Sequence, residues 1–331
     1  MEQADMIHLF NTSWTLHRLS PLHHGKDSKT LLNDETALRT YATRLRDHLT
    51  GDALAGLQTR TATAEDDALS KTGALKDCFW QPISTRDDAP STAFPGILIT
   101  LEYENIIYKA ALLAEPESDP SHRKDSTSLP LLLTRFPSAL RQTFISFLAT
   151  NFDTYCSNLR LSSAFLCSGL EMYVDVLREK RGSMEDAIKE LQLTLAFSAS
   201  IAPDLKTLNV SVSRVSLAEF LRDQSAPKSR TLQQKLKSPF IANLTDYLET
   251  HLAMKLDLDG SSDNKVSKKH VRLSKVACAA FVLGSEGRLK LVVAGDQDDG
   301  DGDEVGLPFE ASGAILRSII RRAVIGDQAA T

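Results

Sequence analysis

Long apolar runs are missing from this chain. No uninterrupted stretch of about 18 apolar residues, the length a membrane helix requires, occurs in its 331 residues. Cysteine is scarce as well. Cys78, Cys156, Cys167 and Cys278 fall at wide, irregular spacings, three of them in apolar surroundings, with no C-x-x-C pair. That excludes a disulfide framework and predicts buried thiols in a reducing compartment. The start, MEQADMIHLF, lacks a basic n-region and a long apolar segment, so no signal peptide is expected. These absences together predict an intracellular, soluble protein.

Catalytic signatures are also absent. There is no G-x-S-x-G, no H-E-x-x-H, and no lysine and serine or threonine after the glycines to make a phosphate loop. His17, His23 and His24 are the best metal candidates, but the nearest carboxylate, Asp27, is in a loop and the spacing is loose. In Asp296 to Glu304 (DQDDGDGDE), Asp299, Asp301, Asp303 and Glu310 fall at calcium-loop positions. Glu304 stands where that loop needs glycine, and Pro308 enters its second half. The expectation is a protein that is no enzyme and holds no metal or cofactor.

What the chain does have is enough apolar content, 42%, for a sizeable core. Net charge is −5, but Asp296 to Glu304 holds six acids and no base, so the remainder is near +1 and the acidity is local. The most informative stretch is Leu273 to Val293, LSKVACAAFVLGSEGRLKLVV. Two strands are expected, Lys275 to Leu283 and Arg288 to Val293, joined by Gly284-Ser285-Glu286-Gly287. The first is apolar or small on both faces and needs cover on both. The second alternates, with Leu289, Leu291 and Val293 on one side.

Along the chain, the pattern predicts a strand from His8 to Arg18 with Phe10, Trp14 and Leu16 inward and His17 outward. It predicts a helix after Asn33 with Leu38, Tyr41, Ala42, Leu45 and Leu49 inward, stopping at Gly51. Strands are expected at Thr59 to Ala64, Cys78 to Gln81, Ile97 to Tyr103 and Ile106 to Leu113, the last two joined at Glu104-Asn105. Glu115 to Ser128 has no apolar residue and reads as a linker. Helices follow from Ser138 and over Ala164 to Glu179. Alternating strands lie at Leu191 to Phe197 and Leu208 to Val212, then helices near Ser216 to Arg222, from Pro239 and over Ala311 to Ile325. The class is α+β, with antiparallel sheets and packed helices, since no regular β-α-β alternation appears. Three regions are expected: residues 1–114, a linker at 115–129, and 130–331.

Lys265 to Lys275 holds five bases, Lys265, Lys268, Lys269, Arg272 and Lys275, and no acid. A solvated loop, a nuclear-import signal or a contact to phosphates would each explain it. Aromatic interleaving is missing, so any nucleic-acid contact is expected to be with duplex backbone. Arg317, Arg321 and Arg322 make a second basic strip near the C-terminal end of the last helix.

Two stretches resemble a known family. FNTSWTLHRLSPLHH (Phe10 to His24) is similar to the opening signature of the fungal CENP-L proteins, subunits of the constitutive inner kinetochore, and Leu273 to Val293 resembles their closing β-rich part. The resemblance implies a saddle-like fold similar to the bacterial RdgC proteins and to the C-terminal region of CENP-N, in which a C-terminal antiparallel sheet joins subunits. It implies a heterodimer with a CENP-N-like subunit, contacts with CENP-C and other inner-kinetochore subunits, and nucleosomes carrying CENP-A as the target. Localisation would be nuclear, at the centromere and kinetochore. On that basis Val276, Cys278, Phe281, Arg288, Leu289, Lys290, Leu291 and Val293 are the expected partner contacts. Lys265, Lys268, Lys269, Arg272 and Lys275 are the expected contacts to DNA backbone. An autonomous duplex-DNA binder with a basic groove is the alternative.

Overall fold

The computed structural model describes residues 9–25, 31–32, 34–55, 72–83, 94–116, 125–179, 190–200, 203–217, 239–252, 271–293 and 306–325. Mixed helix and antiparallel sheet confirm the α+β class. The backbone divides into two compact units: residues 1–9, 13–159 and 319–331, and residues 10–12 and 160–318. The division falls after Leu159, and the described ends of the stretch expected as a linker both lie in unit 1. Within that stretch Ser126–Thr127 forms a short buried strand.

Unit 1 is built on the strands β1 (Ser13–Leu19), β3 (Leu75–Ile83), β4 (Gly96–Tyr103), β5 (Ile107–Leu113), β7 (Leu131–Arg135) and β8 (Cys156–Asn158). All pair antiparallel, in the order β8-β1-β7-β5-β4-β3, and β2 (Leu22–His23) pairs separately with β6 (Ser126–Thr127). Helices α1 (Glu35–Ala55) and α2 (Ser138–Phe152) cover one face. There Trp80, Leu38, Leu45, Phe144, Phe147 and Phe152 make an aromatic-rich core. The other side is buried too, at Leu16, Leu98, Ala111, Leu131 and Leu133. Apolar residues on both faces of β4, β5 and β7 explain why these strands need two layers.

Three local expectations are corrected. The cap of α1 is Asp34, whose Oδ1 accepts the Ala37 N–H at 2.9 Å, and the helix passes through Gly51 to Ala55. One glycine costs a helix only about 1 kcal/mol, which does not end it when helix formers follow. His17 is turned inward and buried, bonded through Nε2 to Thr134 Oγ1 at 3.1 Å. Both faces of β1 are covered, so alternation there does not mark an exposed side.

Unit 2 holds α3 (Ser163–Glu179), β9 (Leu191–Phe197), β10 (Thr207–Val212), α4 (Pro239–Leu252), β11 (Val271–Ala277), β12 (Phe281–Gly284) and β13 (Arg288–Leu291). The last helix, α5 (Gly306–Ile325), is counted with unit 2 through Ser318 and with unit 1 from Ile319. The strands pair antiparallel in the order β10-β9-β11-β12-β13. The two-sided strand expected from Lys275 to Leu283 is two strands, not one. The chain turns back at Cys278-Ala279-Ala280, where the Cys278 N–H donates to Phe281 O at 2.9 Å. The second turn is the expected one, with Gly287 at φ 73° and its N–H on Gly284 O at 3.0 Å. Gly169 lets α3 approach β12, since a Cβ there would come within 2.9 Å of the Leu283 side chain. Thr59 to Ala64, the acidic run Asp296 to Glu304, and Phe220 and Leu221 lie outside the described residues.

Candidate partner interface and basic sheet face

Unit 2's sheet has one apolar and one polar face, and pairing register says which residue goes where. Leu191, Leu193, Leu195, Leu273, Val276, Phe281, Leu283, Leu289 and Leu291 are buried. Helix α3 lies against this face, with the Tyr173 and Phe281 ring centres 5.2 Å apart and Ser163 Oγ donating to Leu273 O at 3.2 Å. Four of the expected partner contacts, Val276, Phe281, Leu289 and Leu291, therefore sit in the unit's core rather than on its surface. Cys278 is half-buried in the turn, and burial pushes its thiol up to about 11, so it is no nucleophile at neutral pH. Val293 follows β13. Its N–H donates to Asn11 Oδ1 at 3.1 Å and its carbonyl accepts from Asn11 Nδ2 at 3.0 Å. With the Asn11 N–H on Leu291 O, the chain itself occupies this end of the β13 edge.

The opposite face carries the charge. Arg272 pairs with Ala196 and Lys275 with Thr194, although the two bases are three positions apart. A register shift at Ser274 turns both toward the same side, where regular alternation would have opposed them. Lys275 pairs with Gly284, Gly284 with Arg288 and Val282 with Lys290, so Arg288 and Lys290 share that face. Four cations from the two expected sets are thus brought together, Arg272, Lys275 and Arg288 exposed and Lys290 half-buried. Among the described strand residues of this face there is no acid. Lys265, Lys268 and Lys269 lie outside the described residues. The second basic strip is in part neutralised, because Arg321 pairs with Glu115.

One feature escaped the sequence reading. Strand β10 pairs with β9 alone. The Phe197 N–H donates to Lys206 O, which sets the even-numbered residues of β10 facing β9 and turns the N–H and C=O of Thr207, Asn209 and Ser211 outward. Among the described residues nothing pairs with that edge. Its side chains are uncharged, with Thr207, Asn209 and Ser211 exposed, and Thr194 Oγ1 donates to Asn209 Oδ1 at 2.8 Å. The polar-apolar alternation was visible in the sequence. Edge position was not, because it depends on which strand lies alongside.

The histidines do not converge. His17 bonds to Thr134, His24 Nε2 to Thr127 Oγ1 at 3.0 Å, and His23 is exposed. Burial lowers the pKa of His17 to about 4 and also lowers that of His24, which keeps both neutral at pH 7. Among the described residues no group of three or more His, Cys, Asp or Glu side chains is placed to hold a metal ion.

The family model of centromere protein L matches residues 8–324, nearly the whole chain. The chain belongs to the CENP-L family. Membership makes it a kinetochore protein, in the nucleus and on chromosomes at the centromere, with a part in chromosome segregation. It also makes it a component of a kinetochore complex with other centromere proteins, in a family that is structural. No curated protein matches the chain at a significant level.

Proposed function

We propose that this CENP-L family chain is a non-enzymatic adaptor that pairs with a CENP-N-like subunit through the outer edge of β10. The pair helps assemble the kinetochore on CENP-A chromatin and meets CENP-C and other inner-kinetochore subunits. The observation that carries this reading is an uncharged, regular strand whose outward N–H and C=O groups at Thr207, Asn209 and Ser211 lack a described partner. An added strand satisfies such groups, and the half-buried Leu208 and Val210 set its register by alternation. A stable pair of this kind buries about 1,600 Å² in total. The test is Asn209→Pro, which removes an outward donor and leaves the β9 ladder intact. Co-expressed with the CENP-N-like subunit, the folded variant is expected to lose co-elution. Unchanged co-elution overturns the reading.

A second reading, contact with duplex backbone, is favoured by Arg272, Lys275, Arg288 and Lys290 sharing one face. Replacing Arg272 and Lys275 with Ser is expected to reduce the salt slope of DNA binding by about one per cation. Tight, salt-sensitive binding by the chain alone would favour an autonomous DNA binder, whereas binding that appears only with the partner present favours the adaptor.

A further inference from the structure

Among the described residues unit 1 also ends in an edge strand, β3, which pairs there with β4 alone. Among the described residues space is available beside it. A groove of about 650 Å³ runs between α1 and β3, lined by Leu38, Arg39, Ala42, Phe79, Trp80 and Pro82 among others. A strand is therefore not kept away by bulk alone.

The main chain of this edge is short of donors. The Cys78 N–H is turned away from β4, since it donates to Asp77 Oδ1 at 2.8 Å. Regular pairing from Cys78 to Ile83 then carries Trp80 and Pro82 outward as well. Pro82 has no N–H. Of three outward positions only Trp80 offers a donor, so an incoming strand would find two of its carbonyls unmatched. Between Leu75 and Asp77 the register shifts, and Lys76 is the extra, exposed residue. A bulge, a lysine, a side-chain cap and a proline are each known ways of making an edge unfit for pairing.

We propose that Lys76, Asp77 and Pro82 close the outer edge of β3 to strand addition. The inference goes beyond the partner reading, since it concerns a different unit and a different strand. It makes β3 a guarded edge, so that strand exchange between copies of the chain does not start from unit 1.

The test opens the edge with Asp77→Ala and Pro82→Val together, in the full chain without partner. Light scattering after gel filtration is expected to show a doubled mass relative to wild type. Hydrogen exchange is expected to slow at Trp80, and to stay unchanged from Thr207 to Ser211. A folded double variant with the wild-type mass at every concentration overturns the proposal, as does new protection confined to β10. Should the double variant fail to fold, the wild-type protein still decides. A rapidly exchanging Trp80 amide fits a closed, unpaired edge, and a strongly protected one overturns it. Loss of the β10 reading would leave these outcomes untouched.

Discussion

Strands β3 and β10 each end a sheet, and they treat that position in opposite ways. β3 has a register shift at Lys76, an amide capped by Asp77 and a proline at 82. β10 runs six residues in regular register with no proline and no charge. The difference teaches that an edge is defined by what its outward N–H groups can do, and that both states are written in side chains. A strand left regular in a protein that guards another edge is a candidate for a partner.

The comparison can be broken or sharpened by mutation, beginning with the largest effect. Phe281→Ala removes a fully buried ring from the layer between α3 and the sheet that carries β10. A loss of about 3–5 kcal/mol is expected, measured by urea unfolding. Hydrogen exchange should place that loss at β9 to β13 and leave Trp80's surroundings as they were.

Acid should act on the β3 side instead. His17 in β1 is neutral when folded because burial, with the Arg141 charge nearby, holds its pKa at about 4 against an ordinary 6.5. A base with a depressed folded pKa contributes fully above the unfolded value. That contribution is lost as pH falls from about 6.5 through about 4, because the unfolded chain takes up the proton first. The expected loss is on the order of 3 kcal/mol over this window. His17→Asn should flatten it in a pH series of unfolding curves.

Gly287→Ala tests the turn that orders β12 and β13, since φ is 73° there. About 1 kcal/mol of destabilisation is expected, read as a shift in the urea midpoint. Smallest of all is Phe79→Asp on β3, where the side chain is 38% exposed. Stability should change by no more than about 0.5 kcal/mol, and co-elution with the CENP-N-like subunit should be unchanged. Loss of co-elution there would make β3, rather than β10, the partner's edge.

Much of the local structure was legible. The connection at Glu104-Asn105, the hairpin closed by Gly284 and Gly287, and the helices from Ser138 and Pro239 announced themselves through turn chemistry, proline and spacing. The turn at Cys278-Ala279-Ala280 did not. It contains neither glycine nor proline, and small apolar residues inside an apolar run read as one continuous strand. Leu289 and Leu291, expected among the partner contacts, are buried in the unit. Arg272 and Lys275 were singled out for their charge. Their common face follows from one shifted residue at Ser274, which no periodicity reveals.

By itself the sequence determined the class, the main elements, the absence of local catalytic motifs and the likeness to the CENP-L family. These depend on residue type and short-range spacing, which the chain carries in order. Only the tertiary structure decided which strands end the sheets, that Asn11 returns to bond β13, and that four separated cations share one face. Those facts depend on pairing between residues far apart in the chain. A strand's alternation says which side chains share a face, and its neighbours decide whether its edge is open.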